Sequence, residues 1–424
     1  SPTAFHAVEN YRQILNADGF KELLESEHWD IVPGGKYYVT RNNTSILAFK
    51  VGTKLDNYSF NIVTSHTDSP TFKVKENAEI EVKNKYTQLN TEGYGGMLCA
   101  TWLDRPLSIA GRVLVSEGNS IVTKLLNIDR DLLMIPNVAI HMNRAANDGF
   151  KYNLQVDMLP LLSAGDDRQK DFKQIIADEL GVKKEDILGH DLYLYNRMAP
   201  SIWGANEEFI SAGHLDDLQC GFASLKALLA GYNDESIDIM ACFDNEEVGS
   251  GTKQGADSTL LRDTLIRINS ALGKTEEDYH RALASSFMLS SDNAHAVHPN
   301  HPEHTDVTNC TYMNEGVVVK SHAGQKYTSD GVSMAVVKSL ASGADVPLQY
   351  FANRSDKAGG STLGNIAMAQ ASMNAVDIGL PQLAMHSSYE TAGIKDTYYA
   401  ISLMKALFDS HIQETSTHSL EIKR

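Results

Sequence analysis

Residues 237–252 read IDIMACFDNEEVGSGT. The apolar run is too short for a buried helix and long enough for a strand covered on both faces. It ends abruptly in Asp244, Asn245, Glu246 and Glu247, followed by a Gly-Ser-Gly turn. From about Asn206 the same order recurs: apolar strand, loop, amphipathic helix. That rhythm predicts an α/β domain with buried, mostly parallel strands.

Working outward, short strands are predicted at KYYVTR (36–41), SILAFKVG (45–52) and FNIVTSH (60–66). A helix over residues 1–24 precedes them, with Val8, Tyr11, Leu15, Phe20 and Leu24 on one side and Ser1 or Thr3 as its cap. From about Phe72 the texture changes. FKVKENAEIEVKNKYTQLN and PLSIAGRVLVSEGNSIVTKLLNI alternate apolar and polar residues, as half-exposed antiparallel strands do. RQKDFKQIIADELGVKKEDI (168–187) reads as a helix with Phe172, Ile175, Ile176 and Leu180 inward and Gly181 as C-cap. The expected organisation is an α/β domain formed by residues 1–70 and 206–424, interrupted by a mainly β insert, 71–205. The tail HIQETSTHSLEIKR is polar and reads as loose.

Bulk properties narrow the function. The chain has 424 residues and a formal net charge of −17, which disfavours nucleic acid and anionic membranes as partners. Four scattered cysteines form no C-x-x-C pair, so they read as reduced thiols of a cytoplasmic protein. No apolar stretch is long enough for a membrane span. SALGKT carries Ile268 where a P-loop needs glycine, and no G-x-S-x-G elbow occurs.

What the chain does carry is a set of polar residues at strand ends. FNIVTS is followed by His66 and Asp68, IDIMACF by Glu246 and Glu247, SSFMLSS by Asp292, and DIGLPQLAM by His386. Asp216 and Asp217 open a helix whose inward residues are predicted to be Leu218, Phe222, Leu225 and Leu229. In an open α/β sheet the carboxyl ends of the strands share one edge, where ligands bind. Converging carboxylates need a counter-charge, and two imidazoles tilt the cation toward zinc, with cobalt or manganese next. The donors exceed one tetrahedral site and suit two ions about 3.5–4 Å apart. Successive side chains of an extended segment face opposite ways, so Glu247 can be a ligand while Glu246 takes a proton from water. Asp68 can fix the tautomer of His66. Each residue also has a plainer role: Asp216 as a helix cap, the glutamate pair as a solvated corner, His386 as a core histidine. The run HAVHPNHPEH (295–304) reads as a surface loop.

The segments SPTAFHAV, SHTDSP, TWLDRPLSIAGRV, NVAIHMNR, SAGHLDDL, DNEEVGSGT, SSDNAHAVHPN and LPQLAMHSSYE together resemble the M18 metallo-aminopeptidases, the aspartyl aminopeptidase and vacuolar aminopeptidase I group. The resemblance implies a zinc-peptidase-like catalytic α/β domain with an inserted dimerisation domain. It implies one metal on His66, Asp216 and Asp292, and a second on Asp216, Glu247 and His386. Glu246 would be the general base and Asp68 the orienter of His66. It further implies dimers assembling into a homododecamer, with His141 reaching a neighbouring subunit's site to help stabilise the oxyanion. Members that prefer acidic N-termini carry a Lys where this chain has Gly324, so a neutral first residue is at least as well suited. The function expected is release of N-terminal residues from peptides. The alternatives are a related dinuclear zinc hydrolase (a carboxypeptidase or N-acyl amino acid hydrolase) and an inactive scaffold on the same fold.

Overall fold

The computed structural model describes residues 1–165, 171–417 and 419–424. Strand Ser236–Phe243 is buried at every position. Its side chains alternate, as a pleated strand requires. Ile237, Ile239, Ala241 and Phe243 enter one core, and Met240 and Cys242 the other. The strand lies parallel to Ser59–His66, which is parallel to Phe287–Ser291, which is parallel to Asn374–Gly379. These four form the centre of a nine-stranded sheet. Antiparallel pairings flank this centre at Ser45–Val51 on one side and Val317–Lys320 on the other, and the outermost pairs, Lys21–Leu23 with Lys36–Arg41 and Val317–Lys320 with Leu348–Phe351, are parallel again.

Helices cover both faces of this sheet. Ala4–Ala17, Leu215–Ala230, Gly331–Gly343 and Asp396–Phe408 pack on one face. Leu260–Ala271, Glu276–Ala284 and Gly364–Gln370 pack on the other. A six-stranded antiparallel sheet drawn from residues 71–196, with helix Phe172–Leu180 against it, encloses a third core around Phe72, Trp102, Leu107 and Leu192. A small five-stranded sheet includes Phe209–Ala212, Glu390–Gly393 and Pro381–Leu383. Among the described residues no helix is long and apolar enough to cross a membrane.

Several local expectations need correction. The first helix ends at Ala17, because Gly19 adopts φ +83°, and Leu24 lies beyond it, 50% exposed. The helix of the antiparallel region starts at Phe172, capped by the Asp171 side chain on the Gln174 amide, and ends at Gly181 in the left-handed conformation. Positions 168–170 of its predicted span lie outside the described residues. Phe222 faces outward, 42% exposed, under the Lys226 ammonium. The other three predicted inward residues, Leu218, Leu225 and Leu229, do meet the core, and Cys220, Ala223, Ser224, Ala227 and Leu228 complete the buried face with mostly small residues that allow close approach to the sheet. The C-terminal tail is a hairpin, His411–Ser416 with Ser419–Lys423. Ile412, Leu420 and Ile422 anchor it to the first core, a period-two signal hidden among polar residues.

The central strands bring their ends so close that one added methyl matters. A Cβ at Gly379 would fall 2.0 Å from the main-chain oxygen of Asp292. Gly379→Ala is expected to cost roughly 1–3 kcal/mol or more, the scale of overpacking against backbone. Thermal unfolding checks this; an unchanged Tm would mean the two strands part without penalty.

Candidate metal centre

The parallel order puts the carboxyl ends of three neighbouring central strands side by side. His66 is the last residue of its strand; Glu246 and Glu247 follow Phe243 closely, and Asp292 follows Ser291 directly. Asp216 and Asp217 reach the same place from the start of helix Leu215–Ala230, where both have non-helical backbone. The peptide between them is cis. His386 arrives differently from the expectation. Its chain leaves the large sheet at Gly379, passes through Pro381–Leu383 of the small sheet, and turns at His386 with φ +67°.

Donor atoms of His66, Asp216, Asp217 and Asp292 lie within 4.8 Å of one another, as do those of Asp216, Glu247 and His386, and those of His66, Glu246 and Glu247. Asp216 stands between the first two groups. Its Oδ1 is 3.4 Å from His66 Nε2 and its Oδ2 is 3.6 Å from His386 Nε2. Glu247 Oε2 is 3.4 Å from the same His386 nitrogen. Ligands of a tetrahedral zinc, with bonds of about 2.0–2.1 Å, stand about 3.3 Å apart. Buried oxygens of Asp216, Asp217 and Glu247 lack any hydrogen-bond donor, a costly state for carboxylates unless a cation meets them. The residues present therefore fit divalent metal.

The electrostatics agree. Burial pushes the Glu246 carboxyl up to about 7, with Asp292 and Asp68 adding to it against the opposing pull of His66. Burial likewise raises Asp292 to about 6, although Lys320 opposes it. Burial would lower His386, but Asp216 and Glu247 raise it to about 9. His66 is also buried, and Asp216 and Asp68 hold it well above the ordinary histidine range. Without a cation these groups hold protons in its stead.

Neighbours fix the ligands' orientation. His66 Nδ1 donates to the main-chain carbonyl of Asp68 at 3.1 Å, leaving Nε2 toward Asp216. The Asp68 carboxylate is slightly farther, 3.4 Å, and accepts the amides of Glu246 and Glu247 at 3.1 Å each. His386 Nδ1 donates to the Gly96 carbonyl at 2.8 Å. Glu246 and Glu247 lie on a 3₁₀ turn, Glu246–Val248, entered through a left-handed Asn245. The turn, not strand alternation, separates their side chains.

Two contributors, Glu390 and Lys320, escaped the sequence pattern, which marks a third, Asp217, beside Asp216 without giving it a role of its own. Asp217 accepts the His66 amide and joins the first donor group. Glu390 accepts the amides of both Asp216 and His386, tying two ligand segments together. Lys320, buried, sits 3.7 Å from Asp292 and donates to the Asn293 carbonyl. An acidic or basic residue inside an apolar strand pattern was the available signal for Glu390 and Lys320. His141 lies on an exposed turn and joins none of the donor groups. His301 and His304, with Glu303, form an exposed group that shares no residue with the buried ones.

Known proteins resemble this chain over nearly its whole length. The family model described as Aminopeptidase I zinc metalloprotease (M18) matches residues 1–408. A probable M18 family aminopeptidase 2 from Clostridium novyi is 48% identical over 415 residues, covering 96% of each chain. The cryo-EM structure of the Ape4 and Nbr1 complex matches with a TM-score of 0.93 at 35% identity, covering 96% of this chain and 83% of the other. The mApe1 dodecamer of S. cerevisiae matches with a TM-score of 0.83 at 28% identity, covering 96% and 93%.

Metal-free protein should lose stability as pH rises from about 4 to about 9. The folded-state pKa values of Asp292, Glu246 and His386 are raised, so the stability they confer is present at low pH and lost as pH rises through about 6, 7 and 9. Thermal scans after chelation should show Tm falling across that window, and added zinc should remove the fall. A chelated Tm that is flat or rising would contradict the buried charge balance.

Proposed function

The chain belongs to the M18 family of zinc metallo-aminopeptidases, and on that premise we propose that it removes N-terminal residues from peptides at a dinuclear zinc site with Glu246 as general base. One observation carries the dinuclear assignment: the two oxygens of Asp216 each face a different imidazole at ligand–ligand spacing. His66, Asp216 and Asp292 would hold one ion, and Asp216, Glu247 and His386 the other. Bound there, the ions supply Lewis acidity toward the scissile carbonyl and toward water.

The chain's own groups do the rest. Glu246 stands within the donor group of His66 and Glu247, its proton affinity near neutrality. Such a carboxylate can take a proton from water and pass it to the leaving amine nitrogen. Asp68 holds the turn that carries Glu246 and keeps the His66 ring in one tautomer. Lys320 balances the charge of Asp292 when the site is loaded.

The first subsite favours a neutral side chain. Gly324 provides no cation, Lys326 donates to the carbonyls of Ala358 and Gly359, and Lys320 is committed to Asn293 and Asp292. Residues 71–205 serve as the dimerisation unit, and twelve copies assemble as in the related mApe1 dodecamer. The exposed turn holding His141 then meets a neighbouring subunit's site, where His141 helps stabilise the oxyanion.

Glu246→Gln should retain two metals per chain and lose roughly 10²-fold or more in kcat, the scale of a lost general base. Steady-state kinetics with metal analysis checks this, and acetylating the peptide N-terminus should abolish wild-type turnover. A variant of normal kcat would remove Glu246 from the chemistry, and cleavage of blocked peptides would remove the aminopeptidase assignment.

A further inference from the structure

Strand Tyr86–Tyr94 of the six-stranded sheet ends at the metal centre, and the next residues run across it. The Tyr94 hydroxyl donates to Asp68 Oδ2 at 2.7 Å. It accepts from Asn245 Nδ2, also at 2.7 Å. The direction is fixed, because Asn245 Oδ1 already accepts from Thr252 and Gln254. Two residues on, the Gly96 carbonyl orients His386, and the Leu98 amide donates to the His386 carbonyl at 2.9 Å. Between them, Gly95 passes so near that a Cβ would lie 3.1 Å from Glu247 Cβ, in a backbone conformation of φ +73°.

The consequence for Asp68 is specific. Its carboxylate is 5% exposed and serves the amides of Glu246 and Glu247 as well as Tyr94, with the His66 ring beside it. Oδ2 is shared by the Tyr94 hydroxyl and the Glu247 amide. One phenol thus fixes the carboxylate beside His66 and, through Asn245, the entry to the turn that carries both glutamates. The remaining ring surface packs edge-on against Tyr193, with centroids 5.8 Å apart.

We propose that Tyr94 is a positioning residue of the metal centre, its hydroxyl setting the geometry of Asp68 and of the Asn245–Glu247 turn. The inference rests on the dinuclear reading given above. Partners of metal ligands typically change metal affinity or activity by about 10–100-fold when removed. Tyr94→Phe keeps the ring and its packing and deletes only the hydroxyl. Tyr193→Phe deletes a hydroxyl from the other ring of the pair, one that does not bond Asp68, and serves as the control.

Cobalt-loaded wild type, Tyr94→Phe and Tyr193→Phe would be compared by visible spectrum, chelator competition and steady-state kinetics. Tyr94→Phe should show altered cobalt d–d bands, about 10-fold weaker cobalt retention, and a kcat lowered about 10-fold or more at saturating metal with KM little changed. Tyr193→Phe should match wild type. If Tyr94→Phe fails to fold, Asn245→Asp, which keeps the side-chain shape and withdraws the amide donor, carries the same expectation. An unchanged spectrum and retention in Tyr94→Phe, or losses equal to those of Tyr193→Phe, overturns the proposal while leaving the metal site intact. Wild type that holds fewer than two cobalt ions overturns the dinuclear reading itself, and the ground of this inference with it.

Discussion

Buried like charges cannot share a site without compensation, and that constraint organises this molecule. Asp216, Asp217, Asp292 and the Glu247 side chain are nearly inaccessible, and Glu246 is half-buried beside them. Their mutual repulsion in a poorly solvated space would expel them or protonate them. A divalent cation removes the conflict and uses the oxygens that find no donor in the protein. The large sheet makes the convergence possible. Its parallel centre delivers three ligand-bearing strand ends to one edge, and helices on both faces exclude water from beneath.

Holding such a site requires more than ligands. Asp68, Glu390 and Lys320 each bridge segments distant in sequence. Asp68 joins the His66 strand to the glutamate turn, Glu390 joins Asp216 to His386, and Lys320 joins its strand to Asp292 and Asn293. Each is a charged group whose own burial is tolerable because it meets several partners. The same logic explains why the chain spends polar residues in places that packing alone would fill with aliphatic ones. Membership of the M18 family accounts for the chemistry; these bridges account for its placement.

Much of this was legible in the residues. Apolar runs ending in His, Asp or Glu located the strand ends at His66, Glu246 and Asp292, because a buried parallel strand must be apolar throughout and must release its polar groups at its edge. The shift to alternating texture near Phe72 marked the antiparallel sheet for the same reason. What failed did so through tertiary context. His386 comes from the small sheet, a crossing that no local period encodes. Phe222 turned outward at the rim of a face that Leu218, Leu225 and Leu229 do line, its ring lying under the Lys226 ammonium instead of against the sheet. Glu246 and Glu247 diverge through a 3₁₀ turn set by Asn245, not by a pleat. Glu390 and the tail hairpin were masked by polar neighbours that compositional reasoning treats as solvent-facing.

The central claim is that two cations share Asp216. Anomalous diffraction at the zinc edge from zinc-loaded crystals tests it most directly. Two peaks about 3.5–4 Å apart are expected, one against His66 and Asp292 and one against Glu247 and His386, with Asp216 between them. A single peak at saturating zinc, or peaks that leave His66 and His386 unligated, would contradict the account.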